Sequence, residues 1–222
     1  MTFNKQLNHI IWLIDENRYE LRTHRSILKR MMPESIEVRT IIAYKNLDDY
    51  LPLLNDPQTA CIITDQKLKV TGIATYTGIE LAEYLRAINT KIPIYILTNF
   101  ADDSDEFIGG EWSVEDILRK DELSDVSKQK TLTARILRRI GVYEDILGER
   151  EEKFHTLLKK SMEGELENSE LQELDELRLQ KISPNLAREL EQVIQMEQIV
   201  RAHEELMSRF QYHAQKEDGD VI

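Results

Sequence analysis

The chain has one cysteine, Cys61, so no disulfide framework can hold it together. It has no apolar run near the ~20 residues that a membrane-spanning helix needs, and a secretory leader is not expected. Basic residues are outnumbered: 29 Lys and Arg face 41 Asp and Glu, for a formal net charge of -12 and a pI near 5.0. Such a surface is unsuited to neutralising nucleic-acid phosphates or lying on anionic lipid. No Cys/His cluster has zinc-ligand spacing, no glycine-rich loop could cradle a phosphate, and no internal repeat or low-complexity segment is present. A soluble, cytoplasmic protein is expected, with 41% hydrophobic residues supplying a core. Its 222 residues suit a standard domain with an appendage.

The stretch that organises the rest is 60–66, Ala-Cys-Ile-Ile-Thr-Asp-Gln. A short β-branched run of this kind reads as a parallel strand buried on both faces. Cys61 is then a small core residue. Asp65 sits at the strand's carboxyl end, where open α/β sheets bind ligands and where an unpaired buried carboxylate is costly. A second buried strand, residues 9–14, ends in Asp15 and Glu16. A helix from Arg18 to Met32 closes at Pro33, a strand runs Ile36–Ala43, and a short helix covers Leu47–Leu54. After Asp65 a loop reaches Thr77, followed by a helix from Gly78 to Ile88. Further strands are expected at Ile92–Leu97, ending at Thr98 and Asn99, and at Val114–Leu118, leading to Lys120. Alternating strands and helices predict an α/β fold: a doubly wound, five-stranded parallel sheet of order 2-1-3-4-5, flavodoxin-like.

Beyond Leu123 only helix is expected, an all-α extension. Leu132, Ile136, Ile140, Tyr143 and Leu147 form one stripe, with a break or bend near Gly141 and Gly148, each costing ~1 kcal/mol in a helix. Phe154, Leu157, Leu158 and Met162 continue it to Gly164. Leu171, Leu174 and Leu177 mark a second helix, and Ser183-Pro184 opens a third to about Tyr212. In that third helix Met196, Ile199, His203, Leu206 and Phe210 form a seam that serves a homodimer or an intramolecular hairpin equally well.

Strand order 2-1-3-4-5 brings Asp15, Glu16, Asp65, Thr98 and Lys120 to one rim. A like-charge pair at ~4 Å costs ~4 kcal/mol at an effective dielectric of ~20, more than Lys120 alone offsets, so a divalent cation is the natural remedy. An all-oxygen site with few carboxylates suits Mg²⁺. Asp65 could then attack a phosphoryl group, with Mg²⁺, Lys120 and the Thr98 hydroxyl holding the transferring oxygens.

The segments Leu-Ile-Asp-Glu (13–16), Ile-Ile-Thr-Asp (62–65), Ile-Leu-Thr (96–98) and Arg-Lys (119–120) together resemble the receiver domain of two-component response regulators. The resemblance covers ~8–140 and divides the chain into a receiver, 1–140, and a helical output or interaction module, 141–222. It implies phosphotransfer from a histidine kinase or phosphotransfer protein to Asp65. It also implies Mg²⁺ held by Asp15, Glu16, Asp65 and the backbone carbonyl of Lys67, with no enzymatic activity beyond self-phosphotransfer and self-dephosphorylation. The chain departs from the usual pattern in five places. Glu16 stands for Asp, Asn99 for a small residue, Asp121 for the proline after Lys120 and Ile117 for the switch aromatic, and the loop after Asp65 is longer.

The expected mode of action is protein contact by a phosphorylation-controlled tail, with a downstream protein partner and no nucleic acid. A pseudo-receiver scaffold and a phosphate sink are the alternatives. His203-Glu204 invites a histidine-phosphotransfer reading, outweighed by packing on the seam. The acidic run Asp102, Asp103, Asp105 and Glu106 reads as a solvated loop, and Trp12 and Trp112 as packing residues. A haloacid-dehalogenase-like phosphatase would need a second Asp where Lys67 stands.

Overall fold

The computed structural model describes residues 9–99 and 111–182, with side chains at 111 and 179–182 excepted. The acidic run at 102–106 and the third helix with its seam and His203 lie outside the described residues.

Five strands, β1 (His9–Asp15), β2 (Ile36–Ile42), β3 (Thr59–Asp65), β4 (Ile94–Thr98) and β5 (Asp116–Arg119), form one sheet in the order β2-β1-β3-β4-β5. Every pairing is parallel, with registers such as Leu13↔Thr40, Leu13↔Ile63, Thr64↔Ile96 and Thr98↔Arg119. The expected sheet order is thus observed, and with it the doubly wound flavodoxin-like fold. All seven residues of β3 are buried, as a central strand covered on both faces requires. Side chains alternate between the two layers. Ile11, Leu13, Cys61 and Ile63 pack with Leu21 and Leu28 of α1 (Arg18–Met31) and with Ile136 and Ile140 of α5 (Val126–Glu163). Ile14, Ile62 and Ile94 pack on the opposite face with Leu53 of α2 (Leu51–Asn55) and with Leu81 and Leu85 of α3 (Gly78–Ile88).

Local chemistry sets the helix starts nearest the carboxyl rim. Asn17 caps α1, its side-chain oxygen accepting from the amides of Tyr19 (2.8 Å) and Glu20 (3.4 Å). Thr77 and Glu80 make a capping box on α3. Gln66, buried, ties the end of β3 to α3. Its backbone carbonyl accepts from the Gly78 amide at 2.9 Å, and its side-chain oxygen from the Ile79 amide at 3.1 Å. Glycine is required at 78, because a Cβ there would lie 2.2 Å from the Asp65 carbonyl oxygen.

Several sequence-based boundaries shift. The segment expected as one helix at Leu47–Leu54 is a 3₁₀ turn, Leu47–Tyr50, followed by α2 with Pro52 in its first turn. β4 starts two residues late and takes in Thr98, and β5 runs Asp116–Arg119 rather than Val114–Leu118. Lys120 opens a five-residue helix, α4 (Lys120–Ser124), that sequence periodicity did not suggest.

The larger correction concerns α5. It runs unbroken for 38 residues, through Gly141 and Gly148, and ends only where Gly164 takes a left-handed conformation. Leu132, Ile136, Ile140 and Tyr143 are buried on both sides of Gly141. Each such side chain contributes ~1.5–3 kcal/mol, which outweighs the ~1 kcal/mol lost at a glycine. Asn89 donates to the Tyr143 hydroxyl (2.9 Å), pinning the helix two residues beyond Gly141. Past Tyr143 the stripe loosens: Leu147 is 40% and Met162 84% exposed, against expectation, whereas Leu157 is buried. α6 (Asn168–Ile182) follows, and Lys160 and Lys153 of α5 pair with Glu170 and Glu173. Residue 141, where the helical module was expected to begin, therefore lies inside α5. Two compact units are distinguished, Met1–Leu174 and Asp175–Ile222. Trp12 packs as expected, donating to the Thr59 hydroxyl (2.9 Å) with Arg39 over its ring, but Trp112 is 92% exposed. Among the described residues no helix is long and apolar enough to cross a membrane.

Candidate functional site

At the carboxyl rim of the sheet, Lys120 gathers the acids. Its ammonium lies 2.9 Å from Asp65 Oδ1, 3.4 Å from Asp15 Oδ2 and 3.5 Å from Glu20 Oε2. Asp15 and Asp65 are buried at the ends of neighbouring strands, so neither charge is relieved by bulk water. Each is held by its second oxygen: Asp15 Oδ1 accepts from the Asn17 amide and Asp65 Oδ2 from the Lys67 amide, both at 2.8 Å. The oxygens that remain, Asp15 Oδ2 and Asp65 Oδ1, both face Lys120.

Burial, supplemented by the charge of Asp65, pushes the Asp15 carboxyl up to about 6, although the Asn17 amide and Lys120 act in the opposite sense. Burial works against the charged form of Lys120, yet Asp65, Asp15 and Glu20 together hold its pKa above the ordinary value. The basin is therefore acid-rich around a single ammonium. Asp15 and Glu20 have carboxylate oxygens within 4.8 Å of each other, a repulsion of about 3 kcal/mol or more at an effective dielectric of ~20. Hard oxygen donors with uncompensated negative charge fit a divalent cation such as Mg²⁺.

Of the residues expected at the site, Asp15, Asp65 and Lys120 are brought together. Thr98 is buried at the end of β4, one residue past the partner of Asp65 in the register. The Lys67 backbone reaches Asp65 through its N–H. Glu16 goes elsewhere: its carboxylate accepts from the Thr71 amide at 2.7 Å, pinning the long β3–α3 loop. Two residues escaped the sequence reading. Glu20 and His24 lie four apart on α1 and point back toward Asp15. Their signal was the acid–histidine spacing of one helical turn directly after the acidic end of β1. The His24 ring is buried, and burial followed by the Lys120 charge lowers its pKa.

The departures also have structural counterparts. Asp121 pairs with Arg119 (3.0 Å), Asn99 is exposed, and Ile117 is half-buried against Ile79, Ile96 and Val114. No family model and no curated protein matches the chain. Solved structures do. The solved structures it resembles are response-regulator receiver domains. One, a receiver-domain protein from Clostridium thermocellum, is 19% identical, with a TM-score of 0.47 over 62% of this chain and 98% of that one. A CheY-like receiver-domain protein from Methanospirillum hungatei is 16% identical (TM-score 0.44, 62% and 97% covered). The response regulator TrrA from Thermotoga maritima, in complex with Mg²⁺ and BeF, is 18% identical (TM-score 0.41, 55% and 98% covered). For this chain the fold stands on its own sheet order and register, and the chemistry on its own rim.

Proposed function

We propose that the chain is a phosphorylation-controlled signalling protein in which Asp65 accepts a phosphoryl group from a histidine kinase or phosphotransfer protein in the cytoplasm. The observation that carries this reading is the 2.9 Å contact between Lys120 and Asp65 Oδ1, with Asp15 beside them. The Lys67 amide fixes Asp65 Oδ2, which leaves Oδ1 as the nucleophile on the side of the ammonium. The oxygen–phosphorus bond forms as the donor's nitrogen–phosphorus bond breaks, and the imidazole leaves. Lys120 and the Thr98 hydroxyl then hold the phosphoryl oxygens. Asp15, Asp65, the Lys67 carbonyl and Glu16, the last once freed from Thr71, would hold Mg²⁺. When bound, the ion supplies charge neutralisation for the transferring group. Self-phosphotransfer and self-dephosphorylation are the only reactions assigned.

In this reading residues 1–140 act as the receiver. The helical region 141–222 acts through protein contacts, with a downstream protein or a second copy of the chain, and not through nucleic acid. A net charge of -12 supports the last point. Incubation with Mg²⁺ and a small phosphodonor, followed by intact-mass measurement, tests the proposal. One phosphoryl group is gained by the wild type and none by Asp65→Asn; equal uptake by both, or by neither, rejects it. The bond from Glu16 to Thr71 favours one other reading, a pseudo-receiver scaffold whose metal site stays incomplete. Absence of Mg²⁺ binding in a titration would select it.

A further inference from the structure

Lys120 is closest to Asp65, at 2.9 Å, and stands farther from Asp15 and Glu20, at 3.4 and 3.5 Å. Asp15, Glu20 and His24 form a group of their own, their ligand atoms all within 4.8 Å of one another. This group differs in kind from an oxygen-only magnesium site, because it contains an imidazole nitrogen. We propose that Asp15, Glu20 and His24 form a mixed nitrogen–oxygen site for a first-row transition dication, on the α1 side of Lys120. The proposal goes beyond the function given above: it uses Asp15 but requires neither Asp65 nor phosphoryl transfer.

Three observations carry it. First, Glu20 and His24 are an i, i+4 pair on α1, the spacing that stacks two side chains on one helical face. Their nearest ligand atoms, His24 Nε2 and Glu20 Oε2, are 3.5 Å apart. Two donors on one tetrahedral ion at 2.0–2.1 Å stand about 3.3 Å apart, so the pair is already close to chelating separation. Second, His24 is buried, and among the described residues its ring makes no polar contact besides Glu20, at a distance long for a hydrogen bond. Third, the cation now nearest these carboxylates is the Lys120 ammonium, at 3.4 Å from Asp15 and 3.5 Å from Glu20. Both contacts are longer than its contact with Asp65. A dication replacing it there would leave Lys120 on Asp65, its closest partner. Glu20 is half-exposed and free to close the remaining distance, whereas Asp15 and His24 are fixed by burial.

Imidazole nitrogen favours the later divalent metals, and affinity at such sites rises from Mn²⁺ toward Cu²⁺ with Zn²⁺ close behind. Mg²⁺ prefers oxygen and gives up water reluctantly. The site should therefore separate Co²⁺ and Zn²⁺ from Mg²⁺ by affinity.

The test is titration of the full chain with Co²⁺, read by visible ligand-field absorption, and with Zn²⁺ and Mg²⁺, read by calorimetry. Wild type is expected to bind Co²⁺ and Zn²⁺ at least 100-fold more tightly than Mg²⁺. His24→Gln should lose tenfold or more in Co²⁺ affinity and change the absorption bands, with Mg²⁺ affinity held within threefold. Glu20→Gln, at a half-exposed position that folding tolerates, should lose Co²⁺ affinity likewise and serves if His24→Gln does not fold. Asp65→Asn should keep Co²⁺ affinity, so this site and the phosphoacceptor can fail separately. Equal affinities for Co²⁺ and Mg²⁺, or Co²⁺ bands unchanged in both His24→Gln and Glu20→Gln, would overturn the proposal.

Discussion

Replacing Gly78 by alanine tests how tightly α3 is seated against the strand that carries Asp65. An alanine Cβ would stand 2.2 Å from the Asp65 carbonyl oxygen, 3.0 Å from its carbon and 3.1 Å from Gln66 Cα. All three are backbone atoms, so no side-chain rotation relieves the contact, and α3 or the end of β3 must shift by about 1 Å. Overpacking of this kind costs ~1–3 kcal/mol. Straining the bond from the Gly78 amide to the Gln66 carbonyl, 2.9 Å long, adds about 1 kcal/mol. The total, about 2–4 kcal/mol, lowers the melting temperature by roughly 4–16 °C for a chain of this size. Gly148→Ala is the internal control. Residue 148 lies in the exposed part of α5 with nothing within 4 Å of a built Cβ, so alanine gains ~1 kcal/mol of helix propensity. Thermal unfolding of both variants by circular dichroism should give shifts of opposite sign. A Gly78→Ala protein as stable as wild type would refute the close seating of α3 on Asp65. A destabilised Gly148→Ala would refute the continuous α5.

Asp15, buried beside Asp65, has its folded pKa raised to about 6 from an ordinary 3.8. Its neutral form is thus favoured by folding, a contribution fully present below pH ~4 and lost as pH rises through 6. Asp15→Asn should gain ~2–3 kcal/mol over wild type at pH 8 and about nothing at pH 4, measured by urea unfolding; a loss at pH 8 contradicts this. Lys120→Met leaves the acids around it uncompensated and should cost ~3–5 kcal/mol at pH 8. Millimolar Mg²⁺ should restore more stability to that variant than it adds to wild type, and a loss under ~1 kcal/mol would show that the ammonium is not the central counter-ion. Glu16→Gln weakens the bond to the Thr71 amide, so hydrogen exchange at Thr71 should quicken severalfold while the amides of β3 stay protected. Unchanged exchange would mean that Glu16 does not pin the loop.

The sheet was legible because buried parallel strands leave short β-branched runs, and Ile10–Ile14 and Ala60–Thr64 are such runs, each followed by an acid, Asp15 and Asp65. The partners Asp15, Asp65 and Lys120 followed from strand order alone, since each lies at a strand's carboxyl end. Where the Glu16 carboxylate rests was not legible, because a glutamate's reach is not set by its position in the chain: here the Thr71 amide holds it. Glu20 and His24 were hidden because a helix shows its facing only once α1 is packed on the sheet. Gly141 and Gly148 misled for a related reason. Propensity is a local quantity, while the burial of Ile140 and Tyr143 that carries α5 past Gly141 is tertiary. α4, at five residues, is too short to leave a periodic signal.

Chemical trapping tests the acceptor most directly. After incubation with Mg²⁺ and a small phosphodonor, reduction by borohydride converts an aspartyl-phosphate to homoserine, which peptide mass mapping can locate. The account predicts homoserine at residue 65, dependent on both Mg²⁺ and donor. Homoserine at another acid, or none under conditions where the protein is folded and the metal bound, would contradict it.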